Sequence, residues 1–528
     1  MGLKQNAMSA DPMPPAPGVV DPPRTLFLEL TSHCNMHCAF CPSDVLRRPK
    51  EHLSEARLRM FLDQVHALGL RIPVLLNVLG EPLLNKKVYE VLDLLEAEGH
   101  LVTLITNVSL LGDPDVRLKL LRHGNLTLAL SLQTATKRSY RMRGYDRLPF
   151  KKFYGMVFDV IEDKFRTGSA VRLEVHVASN FVVSHDPTVQ AGRGFDLWAN
   201  FPSDGAERRW ITRTLMRLER LAAVLEKRYP EAYARERAAA LEKYREHIGT
   251  KIALDRAGLP PDFHRLKDEL FWGYMALPNV FLVFKSLELW TRDRNFLRAA
   301  LPAGTFVYVE EREEPGTCVM ADNFGLLANG EYVLCCLDYE AEMAIGNIDS
   351  MPAGEALGSG KRSAVRKDAM TGKVCRRCKG NVFVFDTAPI SSNAQDVDRF
   401  GRGWWEFETG LSVSGGRWTK GRAWAYVYSR IAARSLKLSF LSPFEEAVPL
   451  DLAVSVYDEL TDDFRMLKAF AIRGRKGAAS EFEAAFDFVP GRLYRIQIDS
   501  PVFVPDEVSH NGDTRRLGLA VFSMTLRA

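Results

Sequence analysis

Short apolar runs alternate with longer amphipathic stretches between residue 25 and about residue 290. Six runs rich in Val, Leu, Ile and Phe have the length of buried parallel strands. They are TLFLEL (25–30), IPVLLNVLG (72–80), HLVTLITNV (100–108), LTLALSLQT (126–134), VRLEVHVASNFVV (171–183) and VFLVFKSLELW (280–290). The stretches between them include SEARLRMFLDQVHALGL, with Ser54 as N-cap, and NKKVYEVLDLLEAEGH, which predict helices. This alternation predicts an α/β domain with a parallel sheet and its chemistry at the carboxyl ends of the strands.

A segment of about a hundred residues between the fifth and sixth strands is too long for an ordinary connection. Within it, Ile211, Leu215, Leu218, Ala222 and Leu225 recur at helical spacing. We predict a helical insertion, at about residues 190–275, that packs against the sheet. A lid over the active site is the alternative.

Beyond the alternating region the composition and the hydrophobic pattern of the sequence change twice. Residues 301–385 are punctuated by glycine and contain five cysteines, and residues 386–402 have the composition of a linker. Residues 403–528 alternate with the two-residue period of half-exposed strands, which predicts an antiparallel β-sandwich. Residues 1–24 are Pro-rich and are predicted to form a flexible tail.

Charge and hydropathy exclude several classes of partner for this 528-residue chain. The net charge is +4, so nothing indicates nucleic acid or an acidic membrane surface as a partner. No apolar run is long enough to cross a bilayer, and no signal peptide is recognisable. We expect a cytoplasmic protein in which all but one of the eight cysteines bind metal rather than form disulfides.

Three of the cysteines, Cys34, Cys38 and Cys41, lie within eight positions directly after the first predicted strand. Three thiolates can hold three irons of a [4Fe–4S] cluster and leave the fourth iron open to another ligand. A zinc site is the alternative, and it would need a fourth ligand such as His33 or His37.

The Cys-x3-Cys-x2-Cys loop, Phe40 before its third cysteine, and Gly80-Glu81-Pro82 after the second strand resemble the motifs of the radical S-adenosylmethionine (SAM) superfamily. The resemblance covers roughly residues 25–300 and implies a partial (βα)6 barrel. It also implies a [4Fe–4S] cluster with one open iron, held by the three cysteines. SAM would bind that iron and be cleaved to a 5′-deoxyadenosyl radical after one-electron reduction.

The resemblance also implies which residues contact SAM. Gly80 and Glu81 would hold its amino group, and the backbone around Phe40 would contact the adenine. The remaining contacts would come from later strands and their ends. Ser131, Gln133 and Asn180 are the candidates for the cofactor, and Arg141 or Arg143 for its carboxylate.

The later cysteines resemble the auxiliary-cluster extensions of radical enzymes, called SPASM and twitch. Gly330 precedes Cys335 by five positions, and a Cys-x2-Cys pair follows at 375–378. The resemblance implies one auxiliary [4Fe–4S] cluster, and the alternative is a four-cysteine zinc site. The ligands expected are Cys318, Cys335, Cys375 and Cys378. The spacing from Gly330 favours Cys335 and leaves Cys336 spare, although the sequence alone does not decide between the two.

Tryptophan and arginine cluster near the predicted strand ends of residues 403–528. This pattern resembles β-sandwich modules appended to bacterial enzymes of polysaccharide assembly, in which indole faces pack against sugar rings. Aromatic core residues are the alternative. The candidate substrate-binding residues are Trp404, Trp405, Arg417, Trp418 and Arg515.

These features predict an enzyme that abstracts hydrogen from a carbohydrate-type substrate, a small molecule or a glycan, in an oxidation or rearrangement. The auxiliary cluster would accept an electron from the substrate, and flavodoxin or ferredoxin would supply the reducing electron. One alternative is a maturase that modifies a ribosomal peptide or protein. Another is a zinc-stabilised binding or scaffold protein without catalysis. No catalytic acid or base is assigned.

Overall fold

The computed structural model of the chain describes residues 22–178, 181–182, 196–198, 200–201, 204–248, 264–267, 271–285, 304–311, 318–367, 373–378, 381–397, 399–412, 415–445, 448–461 and 463–528. Two compact units make up the chain. The N-terminal unit comprises Met1–Phe181, Asp196–Phe296 and Glu311–Gly380, and the C-terminal unit comprises Val182–Phe195, Leu297–Glu310 and Asn381–Ala528.

The first fourteen strands belong to the N-terminal unit, apart from β11 and half of β6. They are β1 (Leu26–Leu28), β2 (Val74–Leu76), β3 (Val102–Thr106), β4 (Leu126–Gln133), β5 (Arg172–Ala178), β6 (Phe181–Val182), β7 (Asp196–Trp198), β8 (His264–Lys267), β9 (Phe271–Leu277), β10 (Val280–Lys285), β11 (Thr305–Glu310), β12 (Phe324–Leu326), β13 (Glu331–Val333) and β14 (Gly346–Asn347). Eleven of them form one sheet in the order β14-β13-β12-β1-β2-β3-β4-β5-β10-β9-β8.

The centre of this sheet is parallel, as the apolar runs predicted. β1 to β5 and then β10 lie side by side in chain order, each parallel to the next. The far edge of β1 is covered by β12, which also runs parallel to it and pairs Phe324 with Leu26. The α/β fold with a parallel sheet is therefore confirmed, and the partial barrel remains a prediction.

Helices connect the strands and bury their apolar faces against the sheet. In the N-terminal unit they are α1 (Glu55–Ala67), α2 (Val88–Ala97), α3 (Pro114–Leu121), α4 (Lys137–Tyr140), α5 (Phe150–Thr167), α6 (Asp204–Arg228) and α7 (Pro230–Ile248), followed by Ala353–Gly358, Gly360–Lys367 and Lys373–Cys378. Ser54 caps α1, because its hydroxyl accepts a hydrogen bond from the Arg57 amide at 3.3 Å. In α6, Ile211, Leu215, Leu218 and Leu225 are buried in the same core as the sheet. This face of α6 therefore packs against the sheet, and the bounds of the insertion stay a prediction.

The C-terminal unit is built from antiparallel sheets. Its remaining strands are β15 (Asn381–Asp386), β16 (Ala394–Asp396), β17 (Arg399–Phe400), β18 (Arg417–Trp418), β19 (Arg422–Ser429), β20 (Ala433–Leu441), β21 (Leu450–Asp458), β22 (Asp463–Ile472), β23 (Ala479–Phe488), β24 (Arg492–Asp499) and β25 (Ala520–Arg527), and a short helix spans Pro505–Ser509. One sheet has the order β16-β25-β20-β23 with β18 on β25, and the other has the order β17-β19-β24-β21-β22. Leu438 and Ile496, from different sheets, belong to one hydrophobic core. The prediction of antiparallel sheets is confirmed.

The segment 386–402, expected to be a linker, carries the short strands β16 and β17. β16 pairs with β25 and β17 pairs with β19. Two or three residues per strand are too few for a recognisable alternation, which is why the sequence pattern did not indicate them.

Candidate active site

The loop after β1 that carries Cys34, Cys38 and Cys41 is held against the segment after α4. The His37 amide donates to the carbonyl of Arg143 at 3.2 Å, and the Ala39 amide donates to that of Met142 at 2.8 Å. Gly144 has φ +56°, and a Cβ on it would lie 2.3 Å from the His37 carbonyl oxygen. Glycine is therefore required at 144, and the cysteine loop has a fixed backbone.

The three thiols are partly buried and lie close enough together to repel one another when ionised. Burial raises the pKa of Cys38 to about 11 and that of Cys41 to about 12, and it also raises the pKa of Cys34. As thiolates they need a positive charge beside them, and iron supplies it. The donor set therefore fits an iron–sulfur cluster.

Gly80 and Glu81 lie directly against the start of the cysteine loop. Gly80 has φ +78°, and a Cβ on it would lie 2.1 Å from the Thr31 carbonyl oxygen. The Glu81 amide donates to the His33 carbonyl at 2.8 Å, which fixes the register of the two segments. The close approach of these backbones explains why the motif has glycine at this position.

The Glu81 carboxylate is buried and accepts three hydrogen bonds. Its donors are the Thr106 hydroxyl at 2.8 Å, the Asn107 amide at 2.6 Å and the Leu83 amide at 3.2 Å. Burial nevertheless raises the pKa of Glu81 to about 7. An ammonium group bound beside it would favour the ionised form, so this carboxylate is suited to hold the amino group of SAM.

Asn107, at the end of β3, is a site residue that the sequence analysis missed. Its side-chain amide donates to Cys34 Sγ at 3.6 Å and to Asn35 Oδ1 at 2.8 Å. Its Oδ1 accepts from the Ser109 hydroxyl at 2.6 Å. The sequence did contain a signal for this residue. Thr106 and Asn107 are polar residues at the carboxyl end of an apolar run, where ligands bind in parallel sheets.

Ser131 and Gln133 both lie on β4 and are buried. The Gln133 side-chain amide donates to the Ser131 hydroxyl at 3.3 Å, and Gln133 Oε1 is buried and has no hydrogen-bond partner in the described part of the chain. Gln133 also has φ +53°, which is rare for a residue other than glycine. A strained residue with an unpaired buried oxygen is typical of a ligand contact. Asn180, the third candidate, lies outside the described residues.

The carbonyls that end β4 and β5 share one partner, Asn200. Its side-chain amide donates to the Gln133 carbonyl at 2.9 Å and to the Ala178 carbonyl at 2.6 Å. Its Oδ1 accepts from the Ala135 amide at 2.8 Å. Asn200 therefore fixes the backbone on either side of the strained Gln133, and nothing in its sequence context signals this role.

Of the two arginines considered for a carboxylate, Arg143 is buried and Arg141 is exposed. The Arg143 guanidinium lies 5.8 Å from the centroid of the Phe40 ring and donates to the Asn107 carbonyl at 3.3 Å. Its Nε is buried, and no described residue forms a hydrogen bond with it. Its charge favours the thiolate forms of Cys34 and Cys38. Arg143 therefore has both the position and an unused donor for an anionic group.

The five later cysteines all have partly buried free thiols. Cys375 and Cys378 are three apart on the helix Lys373–Cys378 and so share a face. A hydrogen bond between the Cys335 and Cys336 thiols lowers the pKa of Cys336, and negative charge on Cys378 or Cys318 opposes that shift. Cys335 instead accepts a hydrogen bond from the Leu337 amide at 3.4 Å. Within the described residues, no three side chains of the metal-binding types stand close enough to share a single ion.

Three of the five residues considered for sugar binding in the C-terminal unit are buried. Trp404, Trp418 and Arg417 have at most 9% of their surface exposed. The Trp404 indole N–H donates to the Trp424 carbonyl at 2.6 Å. This burial favours the core alternative for Trp404 and Trp418, and substrate binding by the three residues stays a prediction.

The other two residues, Trp405 and Arg515, line an open cavity of about 710 Å³ in the C-terminal unit. Its remaining lining residues are Lys420, Gly421, Arg422, Asp499, Ser500, Pro501, Val502, Thr514 and Arg516. Four of the lining residues are basic and one is acidic, so the cavity is positively charged.

Two segments of the chain match known protein families. Residues 28–169 match the radical SAM superfamily, and residues 318–379 match SPASM, an iron–sulfur cluster-binding domain. A radical SAM domain binds a [4Fe–4S] cluster and SAM, and a SPASM domain binds an auxiliary iron–sulfur cluster. None of the helices in the described part of the chain is both long and apolar enough to cross a membrane.

An AdoMet-dependent heme synthase of Methanosarcina barkeri (strain Fusaro / DSM 804) is 31% identical over 119 residues, which are 22% of this chain and 33% of that protein. The chain thus spans about a third of the length of this curated relative. Solved structures with a similar fold include BtrN in complex with AdoMet and 2-DOIA, at 13% identity and a TM-score of 0.31 over 68% of this chain and 92% of that one. Streptococcus suis SuiB bound to S-adenosylmethionine is 12% identical with a TM-score of 0.37 over 67% and 72% of the two chains. At these TM-scores the likeness carries no argument about substrate.

Proposed function

Because the chain contains a radical SAM domain and a SPASM domain, we propose that it is an enzyme that cleaves SAM reductively and removes hydrogen from a carbohydrate-type substrate. The observation that carries this proposal is the convergence of Cys34, Glu81 and Arg143 around Asn107. When bound, the cluster and SAM supply a 5′-deoxyadenosyl radical, which abstracts hydrogen from an unreactive carbon.

Cys34, Cys38 and Cys41 hold the cluster in this proposal, and the surrounding backbone keeps them in place. The amide of Asn107 donates to Cys34 Sγ, and a hydrogen bond to a cluster sulfur stabilises its negative charge. Arg143 adds a buried positive charge to the same side of the loop. The Asn107 amide and the Arg143 guanidinium therefore favour the reduced, more negatively charged state of the cluster.

Glu81 and Arg143 orient the amino acid part of SAM. Glu81 accepts from the amino group, and Arg143 donates from its unused Nε to the carboxylate. Gln133 Oε1, which has no partner among the described residues, accepts from a ribose hydroxyl together with Ser131. Asn180 and the backbone around Phe40 complete the proposed contacts.

For the auxiliary cluster we propose Cys318, Cys336, Cys375 and Cys378 as ligands. The proximity of Cys336 to Cys318 and Cys378 supports Cys336 over Cys335, which was favoured by spacing. Four thiolates leave no iron open, so the role proposed for this cluster is to accept the electron that the substrate loses. The net reaction is then an oxidation, and flavodoxin or ferredoxin is the proposed reductant.

The substrate class is the finer part of the proposal. The acidic Asp499 and the hydroxyl groups of Ser500 and Thr514, which line the cavity of the C-terminal unit, are hydrogen-bonding groups that suit a hydroxyl-rich ligand and support a carbohydrate-type substrate. Modification of a ribosomal peptide or protein remains the alternative for the same chemistry.

The test is reconstitution of the purified chain without oxygen. We expect about eight irons and about eight sulfides per chain, and formation of 5′-deoxyadenosine from SAM after reduction. Cys34→Ala abolishes that product, and Arg141→Ala, which removes an exposed charge near the site, preserves it. A protein that contains only zinc, or that forms 5′-deoxyadenosine without Cys34, contradicts the proposal. Transfer of deuterium from a labelled sugar, rather than from a labelled peptide, into 5′-deoxyadenosine tests the substrate class.

A further inference from the structure

The cavity of the C-terminal unit has a rigid frame made of three segments, residues 419–422, 499–503 and 514–518. The Ser500 amide donates to the Gly421 carbonyl at 2.9 Å, and the Gly518 amide donates to the Thr419 carbonyl at 2.7 Å. The hydroxyls of Thr419 and Ser500 are 3.2 Å apart. Because backbone hydrogen bonds join the segments, the lining side chains project from fixed positions.

Two of the four basic side chains in the lining lack a carboxylate partner. Arg422 pairs with Asp499 at 2.6 Å, and Arg515 pairs with Asp513 and Glu408. Within the part of the chain that the structure describes, Lys420 and Arg516 have no carboxylate within 4.0 Å. The cavity therefore presents two uncompensated positive charges, which a phosphate with a charge of about −1.5 to −2 would match.

Trp405 organises these cations and does not offer a free stacking face. The Lys420 ammonium lies 4.4 Å from the centroid of its ring, and the Arg515 guanidinium lies 5.6 Å from it. The Trp405 indole N–H donates to the Arg516 carbonyl at 2.9 Å, which fixes the ring. Cation–π attraction keeps the Lys420 ammonium at the cavity, and Arg515 is already paired with carboxylates.

Acceptors and hydroxyls line the same cavity. Asp499 uses one carboxylate oxygen for Arg422 and the other for Gln497, and each oxygen retains a further lone pair. Ser500 and Thr514 add hydroxyl groups. A carboxylate would repel a bare anion but accepts hydrogen bonds from sugar hydroxyls. A volume of about 710 Å³ also suits a ligand larger than phosphate alone.

We propose that this cavity binds a phosphorylated sugar, with the phosphate on Lys420 and Arg516 and the sugar hydroxyls on Asp499. The site lies wholly within the C-terminal unit. The inference does not rest on the proposed radical chemistry, and it can be tested without clusters or SAM.

The test is isothermal titration of the full-length chain with glucose 1-phosphate, inorganic phosphate, glucose and glucuronate. Glucose 1-phosphate is expected to bind more tightly than the other three, and binding is expected to weaken as salt is added. Inorganic phosphate binding equally well would overturn the assignment of a sugar, and glucuronate binding equally well would overturn the assignment of a phosphate.

The lining residues are tested with the double variant Lys420→Ala/Arg516→Ala. Loss of two charge-assisted contacts is expected to raise the Kd for glucose 1-phosphate about tenfold or more. The control is Arg434→Ala/Arg473→Ala, which removes two exposed positive charges of the same unit outside the cavity. Equal affinities of the two double variants would contradict the proposal. Should the first variant unfold, the conservative Lys420→Gln substitution provides the same comparison.

Discussion

Arg48 and Glu29 form an ion pair that is buried on both sides, with 6% and 0% of their side chains exposed. One guanidinium nitrogen of Arg48 donates to both carboxylate oxygens of Glu29, at 2.7 and 2.8 Å. Glu29 also accepts from the amides of Leu79 and Ala328, and Arg48 donates to the Tyr339 carbonyl at 2.5 Å. The pair therefore joins β1 and the end of the cysteine loop to the residue before Gly80 and to the auxiliary-cluster segment.

Replacing Glu29 with Gln is expected to destabilise the N-terminal unit strongly. Arg48 would keep its charge in a buried site without an anionic partner, which costs about 3–5 kcal/mol. The free energy of unfolding in urea measures the loss. The control is Arg59→Ala, which breaks an exposed pair with Glu55 on α1 and should cost at most about 1 kcal/mol. Equal effects of the two variants would show that the burial of the pair has no energetic consequence.

Gly80→Ala is expected to abolish SAM binding. The added Cβ meets the Thr31 carbonyl oxygen at 2.1 Å, so the segments that carry Gly80 and the cysteine loop must separate. Gly99 is a matched control, because it has a similar φ of +76° with no described atom within 4 Å of an added Cβ. Gly99→Ala should cost only the left-handed strain, about 1 kcal/mol. Equilibrium dialysis with SAM checks the first effect and thermal unfolding the second, and undiminished SAM binding by Gly80→Ala would refute the prediction.

The stability of the cofactor-free protein is expected to fall as the pH rises from about 4.5 to about 7. Burial raises the pKa of Glu81 from its ordinary value of 4.5 to about 7, so the folded state binds this proton more tightly than the unfolded state. The stabilisation is complete below the lower value and is lost above the higher one, by about 3 kcal/mol. Urea unfolding of the wild type and of Glu81→Gln between pH 4 and 8 isolates this contribution. The difference between them should change with pH, and a constant difference would exclude a raised pKa.

Cys336→Ser is expected to halve the iron content of the reconstituted protein, from about eight to about four irons per chain. Cys335→Ser, its immediate neighbour, should retain the full content, because the proposed ligand set contains Cys336 in place of Cys335, and only Cys336 has the charges of Cys318 and Cys378 among the leading causes that act on its pKa. Iron and sulfide analysis with electron paramagnetic resonance of the reduced protein distinguishes the two variants. Loss of iron in Cys335→Ser but not in Cys336→Ser would show that Cys335 is the ligand, as the spacing from Gly330 predicts.

Much of the N-terminal unit could be predicted from its sequence, since local patterns encode it. Buried parallel strands are continuous apolar runs, and the crowded cysteines identify their own loop. Partners that are far apart in sequence could not be predicted. Glu29 and Ala328 are 299 residues apart, and nothing near either one indicates the other.

The sequence also did not predict the direction in which individual side chains point. Arg141 and Arg143 have the same chemistry and lie on one short 3₁₀ helix, yet only Arg143 enters the site. Trp404 and Trp405 are adjacent, yet one is core and the other lines a cavity. Whether a side chain is buried depends on the segments that pack against it, and the residues next to it in the sequence do not indicate those segments.

The parallel pairing of β12 with β1 has a consequence for how the chain is made. As the polypeptide leaves the ribosome, the first strand of the sheet keeps one unpaired edge until residue 326 has emerged, and an unpaired edge invites association with other chains. In a fragment that ends before β12, this edge of β1 would stay unpaired permanently. The segments that carry the two groups of cysteines must therefore both be synthesised before the sheet is complete. A chain truncated between them is expected to aggregate rather than to form a smaller enzyme.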